Sequence, residues 1–382
     1  MINFYKEALS LLDEASAIRR TLHENPESSF SEYKTSSFIR EKLSRLGIPY
    51  FSAGETGTVA IIKGREGRTI LGLRADIDAL EITEQTDLSY KSKQHGLMHA
   101  CGHDAHTAGL LAAAKILHAH KESFAGTIKL IFQQAEETGL GAIELIKSGL
   151  VDDVQAFFGI HNHPSLPVGK IALKSGQVMA GSNSLEITLK GEGSHGGFPH
   201  LSRDPIAAGA SLVEALQHIV SREIAPTESA VVSVGQFHAG TRDNIIPGEA
   251  KISGTVRVMN EETRAQISEA VYRITDCIAN AHRLKAEVVC EFCTPVLSNA
   301  KELYPLAAAA AEQAVADSVI DFTPQMGTED FGHYSALAPV FFAFVGSGGM
   351  YSLHHECFNI DEQFIAIAAA LHCAFAFQFF KE

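Results

Sequence analysis

No stretch of this 382-residue chain stays apolar over the roughly 18–20 residues that a membrane-spanning helix needs. The Ala- and Phe-rich segment 365–380 comes nearest to that length. Positive charge is also in deficit, because 45 Asp and Glu residues outnumber 31 Lys and Arg residues and the formal net charge is −14. Nonspecific binding to nucleic acid needs a positive field, which this composition does not supply. These absences predict a protein that binds neither membranes nor nucleic acids.

The N-terminal segment 1–27 lacks the apolar core of a secretory leader. Acidic and basic residues interrupt its apolar positions, a pattern that predicts an amphipathic helix. We therefore expect a cytoplasmic protein.

The six cysteines lack the dense spacing of a disulfide framework, and a chain of this length can bury its cores without disulfides. Cys290 and Cys293 form a C-x-x-C pair, a spacing that also occurs in redox motifs. The pair lies in the apolar, strand-like run AEVVCEFCTP, without a Gly/Pro active-site turn. We interpret both residues as packed thiols.

Helix-like and strand-like segments alternate through the first half, which predicts an α/β domain with a largely parallel sheet. Sites in such sheets form beyond the carboxyl ends of the strands. Asp76 and Asp78 follow the first apolar strand. Glu136 and Glu137 follow the second, and His161 follows the third. The predicted strands lie within 68–80, 126–137 and 154–164, and the predicted helices within 35–48, 104–120 and 142–149.

The pattern changes after residue 181. Four strand-like segments with two intervening helices predict a compact α+β domain that ends near Cys293. Helix and strand patterns of the first kind then resume in 303–316 and 338–348. We therefore expect a domain over 182–293, inserted into a domain formed by 1–181 and 294–382. The predicted strands of the insert lie within 183–193, 229–240, 249–259 and 284–293, and its helices within 206–222 and 263–282.

The stretch MHACGHDAH combines three histidines with a cysteine and an aspartate. A cation site, a reactive thiol and chance are alternative explanations. Cys101 and His103 are two residues apart, a spacing that projects both side chains to one side of an extended segment. We expect Asp104 to cap a helix that begins near residue 105. His99 and His106 are interpreted as neighbours rather than ligands, because a site rarely uses every local histidine.

Two adjacent acids, Glu136 and Glu137, end the second apolar strand. Neighbouring side chains diverge, so one carboxylate can bind a cation while the other faces the space in front of it. Metal-assisted hydrolysis needs this combination, since a carboxylate must accept the proton of the attacking water. The alternative is a solvated start of the next helix, stabilised by its dipole.

Further histidines follow later strands. GIHNHP holds His161 and His163, and LHHECF holds His354 and His355. Each histidine by itself is more often a packed or surface residue than a ligand. Thiolate, imidazole and carboxylate together, all at ends of parallel strands, favour a metal site. Such mixed donors suit Zn, Mn, Co or Ni rather than Ca or Mg.

Seven motifs occur along the chain in the order RADIDAL, MHACGHDAH, QQAEE, GIHNHP, GEGSHGGFPH, NIIPG and TEDF. They make the chain resemble a family of metal-dependent amidohydrolases, and the resemblance extends from Leu22 to Phe358. The family includes hippurate hydrolase, plant auxin-conjugate (IAA-amino acid) hydrolase and bacterial N-acyl-amino-acid deacetylases, and aminoacylase and carboxypeptidase G are more distant relatives. The resemblance implies a two-metal, peptidase-like catalytic domain and an inserted lid that also forms a homodimer.

The resemblance also assigns roles to residues. His195 and Asn244 match lid residues that close over the substrate, and in related dimers this histidine reaches the partner subunit's site. Gln134 and Glu356 depart from the family, which commonly has proline at both positions. Glu136 matches the general base, and Cys101, His103, Glu137, His161 and His354 match the ligands of two divalent ions, with His354 preferred over His355 for its distance to the following phenylalanine.

The function implied is hydrolysis of the amide bond of N-acyl amino acids. Glu136 would take the proton of a metal-bridging water, and His195 with the metals would stabilise the oxyanion. The two ions would be Mn, Zn, Co or Ni. An N-acetyl-diaminopimelate deacetylase or a dipeptidase would use the same mechanism. A metal-binding protein without turnover is a remaining alternative, which an intact Glu136 argues against.

Overall fold

The computed structural model describes residues 2–381, which form two compact units. Unit 1 takes in the chain up to Val178, the segment Ser298–Thr323 and the chain from Asp330 on. Unit 2 takes in Met179–Leu297 and Pro324–Glu329. The chain thus enters unit 2 a second time, at a segment that the predicted domain boundaries did not include.

The helices and strands alternate along the chain as follows. The strands of the described residues are β1 Tyr50–Ala53, β2 Gly57–Lys63, β3 Arg65–Asp76, β4 Ala125–Gln133, β5 Ala156–His163, β6 Ile171–Leu173, β7 Gly176–Met179, β8 Gly181–Lys190, β9 Ser194–His195, β10 Ala230–Ala239, β11 Ile245–Ile246, β12 Glu249–Val258, β13 Lys285–Thr294, β14 Leu297–Asn299, β15 Val319–Asp321 and β16 Val340–Gly346. The α-helices are α1 Phe4–Ser10, α2 Leu12–Glu24, α3 Tyr33–Arg45, α4 His103–Ala119, α5 Gly141–Lys147, α6 Pro205–His218, α7 Glu261–Ala281, α8 Tyr304–Ala314 and α9 Gln363–Phe379.

Unit 1 is built on an eight-stranded sheet in the order β1-β2-β4-β3-β5-β16-β6-β15. The four central strands β4, β3, β5 and β16 run parallel to one another. Antiparallel pairs occur towards both edges, where β2 pairs with β1 and β4, and β6 pairs with β16. The predicted α/β class with a largely parallel sheet is confirmed, and the central strands end together at one edge.

Two helices rich in small residues, α4 and α9, form much of the core of unit 1. Residues 364–376 of α9 are all buried, which accounts for a sequence that is apolar on every face. A Cβ at Gly109 of α4 would lie 3.2 Å from the Cβ of Ala368, so the small residues let the two helices approach closely. Among the described residues, no helix is both long and apolar enough to span a membrane.

Unit 2 holds a four-stranded antiparallel sheet in the order β10-β12-β8-β13. Leu185, Ile187 and Leu189 alternate along β8 and share a core with apolar residues of α6 and α7. This arrangement confirms the predicted α+β domain of four strands and two helices. Cys290 and Cys293 lie on β13 as free, partly buried thiols.

The N-terminal helix expected within 1–27 is present as two helices. The side chain of Asn3 accepts a hydrogen bond from the amide of Lys6 and caps α1. Leu11 then separates the two helices, as the C-cap residue of α1 and the N-cap residue of α2. The apolar periodicity predicts the buried face but not this break.

Candidate metal centre

Neighbouring strands of unit 1 bring the predicted site residues to one edge of the sheet. Asp76 at the end of β3 pairs in register with Gln133 at the end of β4. A 3₁₀ turn over Glu136–Thr138 follows β4. His161 lies within β5, two residues before the strand ends, rather than after it as expected. The carboxyl ends of these strands therefore form the floor of the candidate site.

The backbone before α4 places Cys101 against β5. Gly102 has a φ of 87°, and a Cβ there would lie 2.4 Å from Nδ2 of Asn162. Only glycine tolerates both this conformation and this approach. Nδ2 of the Asn162 side chain donates a hydrogen bond to the main-chain oxygen of Cys101. As a result, Sγ of Cys101 lies 3.5 Å from Nε2 of His161.

Asp104 does not cap α4, so this prediction was wrong. The helix begins one residue before Asp104, and no side chain of the described residues caps it. Oδ2 of the buried Asp104 instead accepts hydrogen bonds from Nε of Arg19 at 3.1 Å and from Nδ1 of His23 at 2.8 Å. Because both partners come from α2, Asp104 ties that helix to the loop that carries Cys101.

His103 is oriented by Asp78. Nδ1 of His103 donates to the main-chain oxygen of Asp78 at 3.0 Å and lies 3.2 Å from its Oδ1. Nε2 then faces Oε1 of Glu137 at 3.8 Å. Neither of these two buried atoms has a hydrogen-bond partner among the described residues. A cation bound between them would satisfy both.

The turn after β4 carries both glutamates. Ala135, just before it, has a φ of 51°, in the left-handed region. The amide of Glu137 donates to Oδ2 of Asp78 at 3.1 Å, and the amide of Asp330 donates to Oε1 of Glu136 at 3.4 Å. Carboxylate oxygens of both glutamates and a ring nitrogen of His103 all lie within 4.8 Å of one another.

His354 enters from the loop after β16. Its φ of 65° is left-handed, and its amide donates to the main-chain oxygen of Ala100 at 2.9 Å. Its Nε2 lies 3.5 Å from Oε2 of Glu137. The ring of His355 stacks on Tyr351 instead, with 4.4 Å between the ring centroids. The structure therefore brings His354, the residue chosen from the sequence, to the other candidate ligands.

The five residues predicted as ligands form two overlapping groups. One group consists of Cys101, His103 and His161, and the other of Cys101, Glu137 and His354. Within each group, the donor atoms lie within 4.8 Å of one another. Both groups contain the thiol, so the structure collects sulfur, nitrogen and oxygen donors around a single sulfur atom.

The electrostatics of these groups fit a divalent cation. Burial raises the pKa of the Cys101 thiol well above its usual range and raises the pKa of Glu137 to about 7. It lowers the pKa of His161, which stays neutral as a metal ligand must. Burial opposes a charge on His103, but the negative charge of Asp76, the interaction with Cys101 and the hydrogen bond to Asp78 together raise the pKa of His103 well above its usual range. A metal ion bound among these donors would supply positive charge that favours the deprotonated thiol and carboxylate.

The two other histidines of MHACGHDAH are also buried. His106 uses both ring nitrogens, since Nδ1 lies 2.6 Å from Oδ1 of Asp76 and Nε2 accepts from the amide of Asn162 at 3.0 Å. His106 therefore supports Asn162, whose side chain holds the Cys101 carbonyl. Neither ring nitrogen of His99 has a partner among the described residues, and burial lowers its pKa to about 4.

Unit 2 carries the two residues assigned to the lid. In the pair of β9 with β11, His195 lies opposite Ile245, and the amide of Gly196 donates to the main-chain oxygen of Asn244 at 2.8 Å. Nδ1 of the exposed His195 accepts from the amide of Gly197 at 3.0 Å. A neutral imidazole that accepts at Nδ1 carries its proton on Nε2. His195 therefore presents an N–H donor.

Three buried residues near the N terminus have contacts that the sequence did not predict. Arg19 and His23 bond Asp104, and Glu32 bonds the amide of Ala135 at 2.8 Å. The one available signal was periodicity: Arg19 is four residues after the buried Ala15, on the inner face of α2.

Comparisons with known proteins identify the family to which this chain belongs. Residues 72–378 match the model of Peptidase family M20/M25/M40. An N-acetyl-L-cysteine deacetylase from Bacillus subtilis is 42% identical over 353 residues, which are 92% of this chain and 85% of that protein. Hippurate hydrolase from Campylobacter jejuni is 38% identical over 385 residues, with 100% of both chains covered. The crystal structure of a dinuclear metal binding peptidase from the M20 family of Bacillus subtilis has a TM-score of 0.87 at 35% identity, covering 97% of this chain and 99% of that one.

The chain belongs to peptidase family M20/M25/M40. The resemblance inferred from the seven motifs is confirmed, and so is the fold class that it implied. Its class of chemistry is metal-dependent hydrolysis of amide bonds.

Proposed function

We propose that this chain removes the acyl group from N-acyl amino acids, with two divalent metal ions in unit 1. The observation that carries the proposal is the convergence of Cys101, His103, Glu137, His161 and His354 beside Glu136, all within unit 1. Relatives named N-acetyl-L-cysteine deacetylase and hippurate hydrolase support an N-acyl amino acid as the substrate.

The five clustered side chains are the proposed metal ligands. Their thiolate, imidazole and carboxylate donors favour Mn, Zn, Co or Ni. The orphaned Nε2 of His103 and Oε1 of Glu137 support this assignment, since a bound cation gives each a partner. The chemistry that such ions supply is Lewis acidity, which polarises the scissile carbonyl and makes the attacking water more acidic.

Glu136 is the proposed general base. Its carboxylate lies beside the candidate ligands His103 and Glu137, where an attacking water bound to a metal ion would be within its reach. In the proposed reaction, Glu136 takes the proton of the attacking water as the new C–O bond forms. It then gives that proton to the nitrogen of the departing amino acid as the C–N bond breaks.

We also propose that residues 182–293 act as a lid over the substrate. His195 would donate a hydrogen bond from its Nε2–H to the oxyanion. The amide of Gly197 donates to Nδ1, which leaves the proton of a neutral ring on Nε2. Asn244 would bind the substrate. Its main-chain oxygen accepts a hydrogen bond from the amide of Gly196, the residue after His195. These two roles come from the family pattern, and the local hydrogen bonds of unit 2 support them.

A homodimer through unit 2 is part of the same proposal. Strand β10 lies at an edge of the four-stranded sheet, and residues 235–238 of this strand are exposed. Phe237 is 38% exposed there. An exposed edge strand with an apolar side chain offers hydrogen bonds and contact area to a second copy.

The proposal is tested by metal removal and a substrate panel. The chelated protein, reconstituted separately with Mn, Co, Ni and Zn, is assayed for amino acid release from N-acetyl, N-benzoyl and longer N-acyl amino acids. We expect release that requires metal and falls to background after chelation. Dipeptides and N-acetyl-diaminopimelate in the same panel test the two alternatives. Full metal content without release from any N-acyl amino acid would contradict the proposal.

A further inference from the structure

Glu32, at the start of α3, has a fully buried side chain that holds together three segments of unit 1. Oε1 accepts hydrogen bonds from the amide of Ala135 at 2.8 Å and from the amide of Phe30 at 3.0 Å. Oε2 accepts from the hydroxyl of Thr56 at 2.7 Å. The carboxylate therefore connects the N-terminal region, the loop between β1 and β2, and the turn after β4.

This carboxylate is buried without a compensating cation. No residue described by the structure forms an ion pair with Glu32, and burial raises its pKa. Removing a carboxylate from water is costly unless strong interactions offset the loss. The three neutral hydrogen-bond donors of Glu32 offset part of this cost in free energy. One of these donors is the amide of Ala135, the residue before the proposed base Glu136.

The hydrogen bond from the amide of Ala135 to Glu32 is made by a residue with an unfavourable backbone conformation. Ala135 has φ 51° and ψ 40°, a left-handed conformation that a residue with a Cβ adopts at a cost in free energy. Its carbonyl accepts from the hydroxyl of Thr138 at 2.9 Å and from the amide of Gly141 at 3.2 Å. The amide of Ala135 donates to Glu32, so both main-chain polar groups of Ala135 are hydrogen-bonded. Rotation of this backbone would change the direction of the next side chain, Glu136.

We propose that Glu32 is a positioning residue, which holds Ala135 in its left-handed conformation and thereby directs the carboxylate of Glu136 towards the reacting water. The inference rests on the proposed role of Glu136 as the base. It assigns to Glu32 a geometric role, for which the position of an acceptor atom matters more than its charge.

Two substitutions separate geometry from charge. In Glu32→Gln the amide oxygen can still accept from Ala135 and Phe30, while the amide nitrogen donates to a reoriented Thr56 hydroxyl. In Glu32→Asp the charge remains, but the carboxylate is drawn back by one methylene from the Ala135 amide. Thr56→Val is the matched control, because it removes a bond to the same carboxylate and leaves the Ala135 bond in place.

The experiment uses the full-length, metal-reconstituted variants, each with its metal content measured. We expect Glu32→Gln to keep kcat within about threefold of the wild type, and Glu32→Asp to lose about tenfold or more, with KM nearly unchanged. Hydrogen exchange in the peptide over 133–140 should accelerate in Glu32→Asp and remain slow in Glu32→Gln. Thr56→Val should lower the melting temperature without changing kcat or this exchange.

Glu32→Asp with kcat equal to or above that of Glu32→Gln would overturn the proposal, and so would wild-type exchange over 133–140 in Glu32→Asp. If Glu32→Asp does not fold, the outcome depends on Glu32→Gln, whose loss of both kcat and protection despite full metal content would contradict a geometric role. The exchange readout does not depend on turnover, so it distinguishes a failure of this inference from a failure of the proposed reaction.

Discussion

Sγ of Cys101 lies 3.5 Å from Nε2 of His161, although 60 residues separate them in the sequence. Burial raises the pKa of the thiol and lowers the pKa of the imidazole, so without a cation both groups are neutral. A neutral, buried thiol is a weak nucleophile. The two side chains are therefore suited to bind the same metal ion, and Cys101 is poorly suited to act as a nucleophile.

Alkylation should distinguish these roles of Cys101. A metal-bound thiolate is shielded by its ion, so we expect slow labelling of the reconstituted protein and faster labelling after chelation. Mass spectrometry assigns the rates to each cysteine. The exposed Cys277 is an internal control whose rate should not change. Equal labelling of Cys101 with and without metal would show that it is not a ligand.

Replacement of Glu136 by Gln should leave metal binding intact and remove most turnover, because an amide cannot accept the proton of the attacking water. Loss of a general base costs about 10²–10⁴-fold in rate. The matched control is Glu137→Gln, which should lose metal affinity because Glu137 is the proposed ligand. A kcat near the wild-type value for Glu136→Gln at full metal content would exclude Glu136 as the base.

His195→Ala should lower kcat and kcat/KM together if His195 stabilises the oxyanion rather than the bound substrate. If the histidine acts across a dimer, mixing inactive Glu136→Gln with inactive His195→Ala should restore activity. Each mixed dimer would then contain one site with both groups intact. No recovery, in subunits shown to exchange, would restrict His195 to its own chain and leave the proposed hydrolysis unaffected.

The stability of the protein should depend on pH through His23. Burial alone would lower the pKa of His23, but its hydrogen bond to Asp104 and the negative charge of that residue raise it to about 9. Since this value exceeds the unfolded value of about 6.5, the stabilisation is fully present below pH 6.5 and is lost as the pH rises through about 9. Melting temperatures of the wild type and His23→Gln should therefore differ at pH 6 and converge above pH 9.

His120→Gln is the control for the His23 prediction. His120 forms a partly exposed pair with Glu7 at 2.9 Å, where solvent weakens the interaction. Because His120→Gln retains His23 and removes only this weak pair, we expect its melting temperature to keep the pH dependence of the wild type. A pH dependence in His23→Gln as steep as that of the wild type would contradict the assignment of this titration to His23.

Much of the fold could be predicted from the sequence, because its signals are local. Alternating apolar segments predict β3, β4 and β5, and the change of pattern after residue 181 predicts the antiparallel sheet of unit 2. The prediction that Asp104 caps α4 was wrong because the contacts of Asp104 are not local. A helix cap is the local role for an aspartate at a helix start, whereas Arg19 and His23 reach Asp104 only after α2 packs against α4.

The sequence by itself determined which side chains can bind a cation, since donor chemistry belongs to the residue type, and it determined that several of them follow strands that end at one edge. Only the tertiary structure decided which of these donors meet. His354 reaches Glu137 and His355 does not, and Glu32 reaches an amide 103 residues later. The physical reason is that such distances depend on how strands align and helices pack, and no local pattern of residues encodes that arrangement directly.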